Sequence, residues 1–192
     1  MMTRPTLILL ARQLGVALTL AVWLPLVSAQ SAPAPGPVAA SAADGPAEAA
    51  VAARLVALVN EARRQARDCG TQRFEATAAL RTHTQLEAAA RVHARDLAER
   101  DLFSLTGSDG SSTAARVERE GYRWSGVGEN LTEGETAAES IVQRWLSDPM
   151  QCSNIMHPAF TDVGVARGTP AGGVQARVVW SMVVGRPRTR TP

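Results

Sequence analysis

Lysine is missing from this chain: apart from three histidines, every basic residue is arginine. The uniform choice reads as genomic base composition before it reads as phosphate recognition. Excess charge is missing too. A net charge of +2, without a basic stripe interleaved with aromatics, excludes an ordinary nucleic-acid binder. Aromatics make up only 4% of the residues, with a single tyrosine, and no internal repeat is visible. Cysteine is nearly absent, and the pair that exists, Cys69 and Cys152, lacks the short spacing of a metal site. What remains is an ordinary globular balance, 45% hydrophobic and 20% charged, in 192 residues. That is enough for one domain.

The one long apolar run is at the start. Arg4 and Arg12 precede "LGVALTLAVWLPLV", and Val27 and Ala29 offer small residues before a cut after Ala29. The uncharged stretch from Leu14 to Val27 is shorter than the roughly 20 residues a membrane span needs, so residues 1–29 read as a cleavable export signal. No stable span is then expected after cleavage, and no cysteine follows the run to take a lipid anchor. The expected location is periplasmic or secreted. An oxidising compartment favours a disulfide between Cys69 and Cys152, worth on the order of 4 kcal/mol through the long loop it closes.

Residues 30–48 are rich in Ala, Pro, Gly and Ser and read as a linker. The folded domain is expected over 49–186, with 187–192 as a disordered tail. Val51, Leu55, Leu58, Val59 and Ala62 line one face of a helix over 48–67 that Gly70 stops. A second helix is expected over 84–100, and a third follows, capped by Ser111 or Ser112 and stopped by Gly121. A fourth, "TAAESIVQRWL", opens on a capping box of Thr136 and Glu139. Near the end the period changes. Val174, Ala176, Val178, Trp180, Met182 and Val184 alternate as in a strand, "TDVGVARG" supplies another, and "YRWSGVGENLTEG" a third. The class is α+β, with about four helices on both sides of a small, mainly antiparallel sheet.

The order of "LVNEARRQ", "LEAAARVHARDLAERDLFS", "GSDGSS", "REGY", "VGENLTEG", "VQRWLSDP", "NIMHPAFTDVGVA" and "VVWSMV" resembles the CAP superfamily: the cysteine-rich secretory, antigen 5 and pathogenesis-related proteins. The likeness is to its bacterial secreted, single-domain branch and covers roughly residues 51–184. It implies an α-β-α sandwich. It also implies a central cleft where two histidines and two acids face each other, a tetrad that binds a divalent metal in several members. The places of the histidines fall on Leu105 and Gln151 here, and those of the acids on Glu129 and Asp148. Leucine offers no ligand and a glutamine amide is a weak donor, so neither metal nor other cofactor is expected. His83, His93 and His157 fall elsewhere, which leaves Glu129 without a histidine partner.

Two functions follow. The favoured one is a non-catalytic binding or interaction module with a degenerate cleft, whose partner is a lipid, a peptide or an envelope component. The alternative is a hydrolase, a peptidase or cell-wall enzyme, in which Glu129, its pKa raised by burial or by Asp148, acts as general base. The plainer readings are that Glu129 braces adjoining loops and Asp148 ends the fourth helix. Likewise, His93 reads as a buried core histidine, and Ser104, Ser108, Ser111 and Ser112 as turn and N-cap residues. Trp145, Trp180 and Phe160 read as core, whereas Trp124 stands beside the cleft strand.

Overall fold

The first helix, α1 (Pro46–Arg63), opens on a proline whose missing N–H costs nothing at a helix start. It buries Leu55, Val59 and Ala62 along one stripe. The computed structural model describes residues 45–170 and 177–189. The export signal, most of the linker, Val174, Ala176 and the last three residues therefore lie outside the described residues.

Gly70 does not stop α1, which ends earlier. It sits at φ +62° in the turn between β1 (Arg67–Cys69) and β2 (Gln72–Phe74), an antiparallel hairpin. A left-handed glycine serves a tight turn as readily as a helix end. Next come β3 (Arg81–Thr82), α2 (Thr84–Glu99), and α3 (Thr113–Arg119), whose N-cap Ser112 accepts from the Ala115 amide at 3.2 Å. Strand β4 (Trp124–Glu133) leads to α4 (Ala138–Ser147). The expected capping box is not formed. Ala137 takes the N-cap place, so Thr136 falls one residue too early, and Glu139 pairs with Arg54 on α1 instead.

The sequence reading missed a fifth helix, α5 (Pro149–Met156). Asp148, at φ −89° and ψ 122°, is held extended before a proline, which ends α4. The same residue then caps α5, its Oδ1 accepting from the amides of Met150 and Gln151 at 2.9 Å each. Asp148 thus closes one helix and opens the next. Cys152, on α5, is joined to Cys69 across 83 residues of chain, with the Cα atoms 5.4 Å apart.

Strands β5 (Asp162–Gly168) and β6 (Val179–Pro187) complete a four-stranded sheet in the order β3-β5-β6-β4. Only the short β3–β5 pair is parallel. Along β6, Trp180, Met182 and Val184 join the core under α1, α4 and α5, while Val179 and Val183 face α2. Helices therefore cover both faces, as expected. On the α2 side the approach is close: a Cβ at Gly164 or Gly168 would lie 2.0 Å from the α2 backbone. Ala89, Ala90 and Ala94 leave α2 slim enough to lie there.

Arg63, fully buried at the end of α1, meets no carboxylate among the described residues. It donates to the carbonyls of Ala78 (2.7 Å), Ile155 (2.5 Å), His157 (3.2 Å) and Phe160 (3.1 Å). Burial pushes its pKa down to about 10, so it still carries its charge at neutral pH. The last carbonyls of α5 suit a cation. Through them Arg63 fixes where α5 sits, and with it one wall of the cleft.

Candidate functional site

The loop 103–112 follows α2 and is held from several sides. Asp96 of α2 accepts from the Ser108 amide at 2.8 Å and its hydroxyl at 2.5 Å. Asp109 accepts from the Ser111 amide and from Arg119, both at 2.8 Å, and these bonds hold its pKa below the usual carboxylate range. Ser104 Oγ accepts from the Thr106 amide at 3.0 Å. The serines are turn and cap residues, as their spacing implied. Leu105 turns its side chain outward, 46% exposed, while its carbonyl accepts from Arg116 at 2.9 Å.

Behind the loop lies a buried polar cluster around Glu129 of β4. Its Oε1 accepts from His93 Nδ1 and Ser181 Oγ, both at 2.7 Å. Its Oε2 accepts from Thr113 Oγ1 at 2.6 Å and Arg116 Nη2 at 2.7 Å. Glu129 does have a histidine partner, contrary to expectation. His93 comes from the apolar face of α2, where it is fully buried and hydrogen-bonded like a core histidine. Arg116 Nη2 also lies 3.0 Å from Nδ1. Both atoms are donors once Nδ1 holds the proton that Glu129 accepts, so the Arg116–Glu129 bond is the one that counts. Desolvation is the largest single influence on Glu129 and works upward. The His93 hydrogen bond, the charges of His93 and Arg116, and Ser181 together outweigh it and set the pKa below the ordinary 4.5. The expectation of a raised pKa is thereby reversed.

Opposite this cluster, α5 lies along the edge strand β4. Gln151 Oε1 accepts from the Leu131 amide at 3.1 Å, and its carbonyl accepts from Asn130 Nδ2 at 2.9 Å. Asn154 Nδ2 donates to the Glu129 carbonyl at 3.2 Å and to Asn130 Oδ1 at 2.9 Å. Side-chain amides thus satisfy edge groups that a further strand would otherwise pair. The Gln151 side-chain oxygen is used here, within the wall.

Leu105, Glu129, Asp148 and Gln151 all line one cavity of about 290 Å³, together with Phe103, Leu131 and Met150. Its mouth is apolar. Five large apolar side chains are exposed among the described residues, and three of them, Phe103, Leu105 and Met150, ring this cavity. A cavity of about 450 Å³ between α1 and α4 is larger but holds none of these positions. Trp124 stands away from the cleft, donating to Glu118 at 3.1 Å. Trp145 and Trp180 are core and Phe160 packs against it. Among the described residues, no three His, Cys, Asp or Glu side chains are grouped to hold a metal ion. The two features that sequence reasoning missed, Arg116 and the His93–Glu129 contact, lacked a local signal. One arginine in "STAARVEREGY" looks like its neighbours until the sheet brings β4 beneath it.

Residues 56–184 match the CAP family, the cysteine-rich secretory protein family. The uncharacterized protein YkwD of Bacillus subtilis (strain 168) is 24% identical over 102 residues, covering 53% of this chain and 37% of YkwD. The matched stretch therefore spans only about a third of that relative. Among solved structures, an outer surface protein of Borrelia burgdorferi superimposes with a TM-score of 0.59 at 14% identity, covering 76% of this chain and 96% of that one. An extracellular protein containing an SCP domain from Bacillus anthracis str. Ames gives 0.58 at 18% identity, over 72% and 41% of the two chains. At such identities the likeness shows the fold, and that fold is the layered one described above. With the family match spanning most of the chain, the protein belongs to the CAP, or cysteine-rich secretory, family.

Proposed function

We propose that this protein is an exported, non-catalytic binding module of the bacterial envelope or its surroundings, whose degenerate central cleft takes an apolar ligand. The observation that carries the reading is the apolar mouth: Phe103, Leu105 and Met150 stand exposed around one cavity. Exposed apolar side chains gathered at a concavity mark a binding surface.

The wall behind argues against catalysis. A general base needs an oxygen facing the substrate, and both oxygens of Glu129 already accept two hydrogen bonds each. Asp148 Oδ1 is occupied in capping α5, and the residue stands exposed at the rim. The same facts disfavour a divalent metal. Leu105 has no donor atom, Gln151 Oε1 is bonded to Leu131, and Glu129 is saturated, so the residues present do not fit that ion. The hydrolase alternative using Glu129 with Asp148 loses its base.

Export rests on the signal in residues 1–29, with 30–48 as linker, 49–186 as domain and 187–192 as tail. It is supported by the Cys69–Cys152 bridge and by the extracellular Bacillus anthracis relative. No helix among the described residues is long and apolar enough to cross a membrane. Untargeted mass spectrometry of small molecules co-purifying with the protein, run beside metal analysis, tests the reading. An apolar molecule without stoichiometric zinc is expected. Stoichiometric zinc, or a folded Glu129→Gln variant that abolishes a measured hydrolysis, would overturn it.

A further inference from the structure

The cleft has a sign as well as an apolar mouth. Its ionisable lining residues are Glu129 and Asp148, and no basic residue lines it. The charge of Glu129 is met from behind by Arg116, at 2.7 Å and buried with it. Asp148 is exposed at the rim, with no such cation lining the cavity beside it. A helix start would ordinarily attract an anion through its free amides. At α5 those amides are taken. Pro149 has none, Met150 and Gln151 donate to Asp148 Oδ1, and Cys152 donates to the Asp148 carbonyl at 2.8 Å. The helix end that would welcome a carboxylate or phosphate is therefore closed by a carboxylate of the protein itself.

We infer that the cleft selects an apolar chain ending in a protonated amine over one ending in a carboxylate or phosphate. This rests on the apolar-ligand reading above and names the head group that reading leaves open. The chain lies against Phe103, Leu105 and Met150, and the ammonium faces Asp148 at the rim. The ion pair is solvent-exposed, so its effect is modest and falls with added salt.

Titration calorimetry at neutral pH and low ionic strength, with octylamine, octanol and octanoate, separates the two readings. Octylamine is expected to bind about fivefold more tightly than octanoate, with octanol between them. Asp148→Asn is the informative variant, because asparagine caps a helix as well as aspartate does. It should keep octanol binding and melting temperature while bringing the amine and the carboxylate to equal affinity. Octanoate binding as well as octylamine, or a preference unchanged in Asp148→Asn, overturns the inference while octanol binding still upholds the apolar cleft. Failure of all three probes sinks both. A dileucine amide compared with its N-acetylated form identifies the source of the amine. Preference for the free form points to a peptide N-terminus, and octylamine binding without dipeptide binding points to a lipid-like amine. Either result upholds the cationic head.

Discussion

The back and the front of the cleft are built on opposite principles. At the back, Glu129, His93, Arg116, Thr113 and Ser181 are buried or nearly so and bind one another. At the front, Phe103, Leu105 and Met150 are apolar and open to solvent. The contrast shows where the charge is used. It fixes the shape of the wall, since Arg116 holds both the β4 carboxylate and the Leu105 carbonyl. On the proposed reading the mouth, free of that duty, selects the ligand. A change at the back should therefore cost stability, and a change at the front should cost binding.

Glu129→Gln attacks the back and should have the largest effect. It leaves Arg116 buried without its counter-charge, a loss of about 3–5 kcal/mol in urea unfolding. Acid should reproduce part of that loss. The folded pKa of Glu129 is depressed, so its contribution is complete above the ordinary 4.5 and fades as pH falls through the lower folded value. Stability measured from pH 6 downward should decline in wild type and decline less steeply in Glu129→Gln. A parallel decline would mean that the cluster does not hold the wall.

Breaking the Cys69–Cys152 bridge with paired alanines should cost about 2–4 kcal/mol, read in the same unfolding assay. Since Cys152 adjoins Gln151, ligand affinity should also weaken. Gln151→Ala should cost about 1–2 kcal/mol, because the Leu131 amide loses its acceptor at a part-buried edge. Changes at the mouth come last: Leu105→Asn or Met150→Gln should move stability by about 0.5 kcal/mol or less.

Much of this was legible in the sequence because it depends on period and order. The alternation through Trp180, Met182 and Val184 marked β6, and the spacing in α2 marked its buried face. The disulfide followed from two cysteines in a chain whose sequence reads as exported. The cleft positions Leu105, Glu129, Asp148 and Gln151 came from resemblance, and the structure gathers all four around one cavity. What stayed hidden was tertiary. Asp148 reads as a helix end from either side, so α5 was invisible behind "SDPMQC". Thr136 and Glu139 have capping-box spacing but the wrong frame, which only the position of α4 reveals. The two arginines buried among the described residues carry no local mark. Arg63 is defined by carbonyls up to 97 residues away, and Arg116 by a carboxylate on another element.

The most direct test of the central claim compares octanol binding by wild type and by a Leu105→Asn, Met150→Gln double variant, with melting temperature measured on the same samples. The variant should melt like wild type and lose octanol binding at least tenfold, since removing two apolar contacts costs more than about 1.4 kcal/mol. Undiminished binding with both contacts gone would contradict it.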